Sequence, residues 1–293
     1  MPDFFKTITP VENYTYQSMT RDLCLLEREF PALLKIDSIG KSEEGRELVC
    51  AVLGSPNAPK KIFINASIHA REHMTTTIAA AQIEYLLRTG ERDILKGVCF
   101  HIVPMANPDG VFISQTGKLP KAFEKEYTYG HAKRWKANAC GIDLNANFDG
   151  DWLSHGDASV THPAPEGFKG ISPECAKESR ALAEHIRKTG FDMTLSYHTT
   201  GSEIYYKFGN SKTSEVCRSL ALEISKVTGF ELRVQSPYSS AGFKDWAIAK
   251  MSIPSLTIEF GRLSAPHSLC EFPDMWQSAK HIPSAAALWL EKT

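Results

Sequence analysis

The sequence has no long apolar run, and no window approaches the roughly 18 consecutive apolar residues of a membrane-spanning helix. It begins without a basic segment followed by an apolar stretch, which predicts that the chain has no signal peptide. An excess of one charge is also absent, since 33 Lys and Arg face 34 Asp and Glu, for a formal net charge of −1. Neither nucleic acid nor a membrane is therefore expected as a partner.

Paired cysteines are missing too. The seven cysteines are odd in number, scattered along the chain and never spaced as CxxC. This pattern is typical of reduced, mostly buried thiols rather than of a disulfide framework. Together with the absence of a signal segment, it predicts a cytoplasmic protein.

No linker, low-complexity tract or repeat interrupts the chain, which predicts one domain over residues 1–293. Residues 107–171 lack periodicity and are predicted to form loops that build a site. The predicted strands are 47–54, 60–67, 98–106, 191–198, 202–208 and 254–260. The predicted helices are 18–36, which Pro31 bends or ends, 73–89, 172–189, 212–229 and 276–291. This alternation predicts an α/β domain with a central mixed, mostly parallel twisted sheet covered by helices on both faces.

Side chains suited to a metal ion lie at the ends of three predicted strands. The motif "IHAREH" places Glu72 three positions and His73 four positions after His69. His198 ends the strand "DMTLSYH", and Glu259 lies near the end of "PSLTIEF". Ligands collect at the carboxyl ends of parallel strands, so these side chains are expected at one site. A His/Glu pair with one remote His is the ligand set of several catalytic zinc sites, which also need a base for water.

The short motif does not decide the ligands by itself. An isolated HxxE is more often a surface helix cap, and His198 or Glu259 alone is most simply an ordinary strand-end residue. The pair of His69 and His73 lacks the glutamate that directly follows the first histidine in HExxH, so Glu72 is the better second ligand. The metal hypothesis is favoured because the ends of three strands all carry side chains suited to one metal site.

Four segments together resemble the zinc carboxypeptidase family, the carboxypeptidase A-like metallopeptidases, in their order and approximate spacing. These segments are "HARE" (69–72), "GIDLNANFD" (141–149), "SYH" (196–198) and "TIE" (257–259). The resemblance extends over roughly residues 12–290. It implies a fold of the kind predicted above and a zinc-dependent hydrolase that acts on peptides.

The resemblance also implies roles for individual residues. One zinc ion per chain would be bound by His69, Glu72 and His198, and Glu259 would be the general base that takes a proton from the attacking water. Asp143 would hold a ligand imidazole in its metal-binding tautomer. His73 is left without a ligand role.

The group that stabilises the developing oxyanion stays open between two residues. In the family an arginine upstream of the Asn-rich motif has this role. The matching stretch here reads "AKRWKANACGID" and offers Arg134 and Lys136. Alignment by the tryptophan favours Lys136, although either could be an ordinary solvated charge.

One departure from the family pattern bears on the substrate. Enzymes that trim free C-termini carry Asn-Arg in the Asn-rich motif, and the pair binds the terminal carboxylate. Here Asn145 is followed by Ala146, and a methyl group cannot replace a bidentate Arg–carboxylate pair. Ordinary exopeptidase recognition is therefore not expected.

Further residues are candidates for substrate binding. Lys244, in "GFKDW", lies where the family lines the pocket for the side chain after the scissile bond. It would either meet an acidic or zwitterionic group or pair with Asp245. Asn145 and Arg71, beside the metal pair, are two more candidates, and Tyr238 resembles the mobile tyrosine that hydrogen-bonds substrate in the family.

The motifs "DLNANFD", "SYHTTG", "IYY", "GFKDW" and "TIEFG" together resemble the bacterial γ-D-glutamyl-L-diamino acid peptidases. That resemblance implies cleavage of the bond between γ-linked D-glutamate and meso-diaminopimelate or lysine in cell-wall peptides. The alternatives are a general metallocarboxypeptidase, an amidohydrolase acting on another acylated amine, and a zinc-binding module without activity. Glu259 disfavours the last, because a binding protein has no need of a base aimed at a metal.

Overall fold

The computed structural model describes residues 5–153, 159–234 and 242–293. Its strands are β1 (Leu34–Lys41), β2 (Glu47–Leu53), β3 (Lys60–Ala66), β4 (Val98–Val103), β5 (Met193–Thr199), β6 (Glu203–Tyr205), β7 (Glu231–Arg233) and β8 (Ser255–Phe260). All eight belong to one sheet, in the order β1-β2-β4-β3-β5-β8-β6-β7. Four neighbouring pairs are parallel and three are antiparallel. The predicted mixed, mostly parallel sheet is confirmed.

Helices cover both faces of this sheet. They are α1 (Tyr16–Glu29), α2 (Met74–Arg88), α3 (Pro108–Thr116), α4 (Tyr129–Lys133), α5 (Lys177–Thr189), α6 (Lys212–Thr228), α7 (Phe243–Met251), α8 (Phe272–Ala279) and α9 (Ile282–Leu290). Successive side chains of a strand point to opposite faces. Accordingly Ile62 and Ile64 of β3 are buried in the core with α1, α2, α6, α8 and α9, whereas Phe63 is buried with α5 and α7.

Several elements differ from the sequence prediction. The segment 107–171 was predicted to form loops, but it contains the helices α3 and α4, and helix α7 was not predicted either. The first predicted helix ends at Pro31 rather than bending there: α1 stops at Glu29, and the chain then forms the edge strand β1, which was not predicted. The predicted helix 276–291 is two helices, because Pro283 stands in the first turn of α9, where its missing N–H costs nothing. Strand β7 is only three residues long and was not predicted.

All seven cysteines are free thiols, as the pattern predicts. Across the described parts of the chain, no helix has both the length and the apolar character that crossing a bilayer requires.

Candidate metal centre and active site

The turn after β3 brings His69 and Glu72 together. Residues Ala70–Glu72 form a 3₁₀ turn, with His69 as its extended N-cap. A 3₁₀ helix has three residues per turn, so side chains three apart lie one above the other. Glu72 Oε1 consequently lies 2.8 Å from His69 Nδ1. The next residue, His73, is the N-cap of α2 and does not belong to this cluster.

The third member of the cluster comes from the neighbouring strand. β5 pairs in parallel with β3, and His198 lies near its carboxyl end. His198 Nδ1 is 3.1 Å from Glu72 Oε2 and 3.1 Å from His69 Nδ1. All three side chains are buried. The structure therefore brings together the three residues that were predicted as metal ligands.

The far nitrogens of both imidazoles face oxygen atoms. His69 Nε2 lies 3.3 Å from Asp143 Oδ1, and His198 Nε2 lies 3.1 Å from Ser196 Oγ. Ser196 in turn donates to Asn65 Oδ1 at 3.0 Å. With the proton of each ring on Nε2, each Nδ1 directs its lone pair into the cluster, which is the tautomer that a metal ligand needs.

The donor set fits a zinc ion. Two imidazole nitrogens and a carboxylate are typical zinc ligands, and three protein ligands leave a position for water or substrate. In a tetrahedral site with bonds of about 2.05 Å, ligand atoms are about 3.3 Å apart. The distances of 2.8 to 3.1 Å found here are slightly shorter. A small outward adjustment of the three side chains accommodates the ion.

Glu259 supplies a carboxylate next to the cluster. In the parallel pair of β5 and β8, Glu259 stands directly beside His198. Its Oε2 atom is buried and has no hydrogen-bond partner among the described residues. Burial raises the pKa of Glu259 well above its usual range; His198 and Lys136 oppose this shift, and the charge of Glu72 adds to it. A carboxylate in such surroundings has an increased affinity for a proton, as a general base requires.

Of the two basic candidates, the structure brings Lys136 to the centre. Its Nζ lies 3.1 Å from Asp143 Oδ2 and 3.4 Å from Glu166 Oε1. Burial by itself lowers the pKa of Lys136, but the surrounding carboxylates outweigh it and raise the pKa above its usual range. Arg134 is exposed, and only its backbone carbonyl approaches Arg71, at 3.4 Å. Arg71 itself makes a bidentate ion pair with Glu166, in which the guanidinium nitrogens lie 2.8 and 3.1 Å from the two carboxylate oxygens.

The other predicted substrate contacts have partners within the protein. Asn145 Oδ1 accepts a hydrogen bond from Phe243 N at 3.0 Å and so holds the start of α7. Lys244 is buried, where it pairs with Asp245 and donates to a backbone carbonyl, that of residue 207, at 3.1 Å. Of the two roles considered for Lys244, the ion pair with Asp245 is present. Tyr238 lies outside the described residues.

The site also contains residues that the sequence prediction missed. Ser196 and His198 are two positions apart on one strand and share a face, so the strand period could have indicated Ser196. Glu166 connects Arg71 with Lys136 across the site from a distant loop. No local pattern marks such a residue, because its partners are far away in the sequence.

Residues 19–269 match the family model described as zinc carboxypeptidase. The chain belongs to the zinc carboxypeptidase family. The chain is 31% identical to γ-D-glutamyl-L-diamino acid endopeptidase 1 of Lysinibacillus sphaericus, over 95% of its own length and 73% of the relative's. The family uses one zinc ion, for which the His/Glu/His cluster provides the ligand atoms. The protein is accordingly a zinc metallopeptidase, a hydrolase.

Solved structures share the fold of this chain. Bovine thrombin-activatable fibrinolysis inhibitor, in complex with tick carboxypeptidase inhibitor, superposes with a TM-score of 0.78 at 19% identity, covering 95% of this chain and 98% of that one. Murein-tripeptide amidase from Escherichia coli O157 superposes with a TM-score of 0.56 at 20% identity, covering 87% and 91%. The sheet and its covering helices are therefore common to the three proteins.

Proposed function

We propose that the protein hydrolyses an amide bond of cell-wall peptides, between γ-linked D-glutamate and diaminopimelate or lysine, in a single catalytic domain of residues 1–293. The observation that carries the proposal is the 31% identity, over 95% of the chain, to an enzyme named for this bond. The murein-tripeptide amidase that shares the fold is named for a related substrate. A cytoplasmic location is part of the proposal, since seven free thiols suit a reducing compartment.

The zinc ligands in this proposal are His69, Glu72 and His198. When bound, zinc supplies Lewis-acid chemistry, which acidifies water and polarises an amide carbonyl. Glu259 Oε2 takes the proton of the attacking water, because it is buried beside His198 and has no hydrogen bond to give up. The same carboxyl group then passes this proton to the nitrogen of the leaving amine, which completes cleavage of the C–N bond.

Lys136 stabilises the negative charge that develops on the carbonyl oxygen. Its ammonium group is held by Asp143 and Glu166, so it is already oriented before the substrate arrives. A donor that needs no reorganisation is the kind that lowers a barrier most effectively. Asp143 connects this ammonium group with His69, which couples the oxyanion side of the site to a metal ligand.

The substrate proposal is supported by the residue that follows Asn145. Ala146 is buried in a short 3₁₀ turn, and Asn145 is engaged with the backbone of Phe243. Neither offers a guanidinium group for a terminal carboxylate. Arg71 remains the proposed contact for an anionic group of the peptide, in exchange for its ion pair with the half-exposed Glu166.

The deciding assay compares three peptides with the zinc-loaded protein. L-Ala-γ-D-Glu-meso-diaminopimelate is expected to be cut at the γ-amide, whereas its α-linked isomer and a hippuryl-amino acid are not. The Glu259→Gln variant, incubated in parallel, shows whether any cleavage comes from this site. Cleavage of the hippuryl compound alone would refute the cell-wall substrate and favour a general metallocarboxypeptidase.

A further inference from the structure

A second group of potential metal ligands lies on the sheet, apart from the catalytic cluster. One ligand atom each from Cys50, His101 and His185 can be chosen so that all three lie within 4.8 Å of one another. His101 Nδ1 and His185 Nε2 are 3.0 Å apart. We propose that these three residues bind a transition-metal ion of the zinc type, at a structural site that is separate from the active site.

The three residues come from different elements that share one face. Cys50 lies on β2 and His101 on the adjacent antiparallel strand β4, whereas His185 lies on helix α5. Helix α5 packs on this face, since Cys50 is in the same core cluster as the apolar residues of α5. A metal ion held by all three would join the helix to two strands. Metal ions stabilise small folds by this kind of link.

The spacing of the two imidazoles agrees with metal binding. Their ring centres are 5.1 Å apart, compared with 4.7 Å for His69 and His198 in the catalytic cluster. Two rings on a tetrahedral zinc ion with bonds of about 2.05 Å have centres about 5.2 Å apart. The thiol needs a larger change. Sulfur and nitrogen ligands are about 3.6 Å apart around zinc, whereas the atoms here are up to 4.8 Å apart, so Cys50 must approach by at most about 1.2 Å.

Charge at the group also suits a dication. Burial lowers the pKa of His101 and that of His185 to about 4, with Lys61 and Lys188 adding to these shifts and Asp37 opposing them. Both imidazoles are therefore neutral at pH 7 and keep a lone pair for a ligand bond.

The fourth position has a carboxylate close by. Asp37 on β1 stands directly opposite Cys50, so both side chains are on the same face. A dication, the Cys50 thiolate and the Asp37 carboxylate together are electrically neutral. Asp37 and His101 also line a surface cavity of about 350 Å³, which gives an ion a route from solvent. The Cys50 thiol would release its proton to solvent when it binds the ion.

Cobalt(II) provides a probe that tells the two sites apart. The catalytic ligands include no cysteine, whereas Cys50 would give a thiolate-to-cobalt charge-transfer band in the near ultraviolet. Protein freed of metal with a chelator and titrated with Co²⁺ is expected to bind two equivalents per chain and to show this band. Cys50→Ser should lose the band and one equivalent. The matched control Cys99→Ser, which removes another buried thiol from the sheet, should keep both.

The proposal is overturned by a single equivalent without a thiolate band in the wild type, or by a band that persists in Cys50→Ser. If Cys50→Ser does not fold, His185→Asn decides, because this half-buried residue is on the helix rather than in the sheet. Loss of the second equivalent in His185→Asn supports the site, and retention refutes it. The rate of hydrolysis by zinc-loaded His185→Asn should equal that of the wild type. A negative result for the second metal site is therefore distinct from a negative result for the proposed peptidase activity.

Discussion

Replacing Ser196 by alanine tests how the second histidine is prepared for zinc. Ser196 Oγ accepts from His198 Nε2 at 3.1 Å and passes the hydrogen bond to Asn65 Oδ1 at 3.0 Å. All three side chains are buried, so water cannot easily replace the lost hydroxyl. Without it, the tautomer with the proton on Nε2 is no longer favoured over the one with the proton on Nδ1, which cannot bind the metal.

The expected loss can be calculated from known metal sites. Removing the partner of a ligating histidine typically weakens metal affinity about 10- to 100-fold. That range corresponds to about 1.4 to 2.7 kcal/mol of binding free energy. The free energy of unfolding of the metal-free protein should also fall, by about 1 to 3 kcal/mol, because buried groups lose a hydrogen-bond partner.

Thr194→Val is the matched control for this prediction. Thr194 is two residues earlier on the same face of β5 and donates to Ser255 Oγ at 2.7 Å, without contact to a ligand. Both variants should be destabilised, but only Ser196→Ala should bind zinc more weakly in a chelator competition. An unchanged zinc dissociation constant in Ser196→Ala, or an equal loss in Thr194→Val, would contradict the orienting role.

Four further outcomes are expected. Glu259→Gln should keep its zinc and lose about 10²- to 10⁴-fold in kcat; wild-type turnover in steady-state assays would exclude it as the base. Lys136→Met should lose about 10²- to 10³-fold in kcat, while Arg134→Met keeps a kcat near that of the wild type. The reverse order would show that Arg134, and not Lys136, stabilises the oxyanion. His73→Gln should keep the wild-type zinc content in elemental analysis, since His73 lies outside the ligand cluster. Burial raises the pKa of Glu178 from 4.5 to about 7, so the stability this group contributes is present below pH 4.5 and is lost as the pH rises through 7. In urea unfolding, the free energy of unfolding of Glu178→Gln should rise relative to that of the wild type by up to about 3 kcal/mol between pH 4.5 and 8. A constant difference between the two proteins over this pH range would refute the prediction.

The sequence predicts the central sheet well because its strands are apolar runs bounded by turns. It also predicts which side chains form the His/Glu/His cluster, because they follow these runs at the carboxyl ends of the strands. The exact turn geometry at His69 could not be read in the same way, since an α-helix and a 3₁₀ turn begin with the same residues. The structure shows a 3₁₀ turn, and this turn explains why Glu72 rather than His73 joins the cluster.

Other features depend on contacts between distant segments. Strand β1 contains polar residues at an edge of the sheet, so it lacks the apolar signal of the inner strands. Glu166 meets Arg71 across 95 positions of sequence, and the ion pair exists only after the loops have folded. Lys244 and Asp245 are neighbours in the sequence, but no local pattern shows that their ion pair is buried.

The register of β5 against β8 also has a consequence for inheritance. His198 and Glu259 stand side by side because backbone hydrogen bonds align the two strands. A single inserted or deleted residue within either strand would turn the following side chains to the opposite face. Such changes should be absent from functional members of a library with random insertions and deletions, whereas the connecting segments should tolerate them. If His198 and Glu259 are metal ligand and base, as proposed, insertions and deletions are confined to the segments between the strands, and the two residues are inherited as one unit.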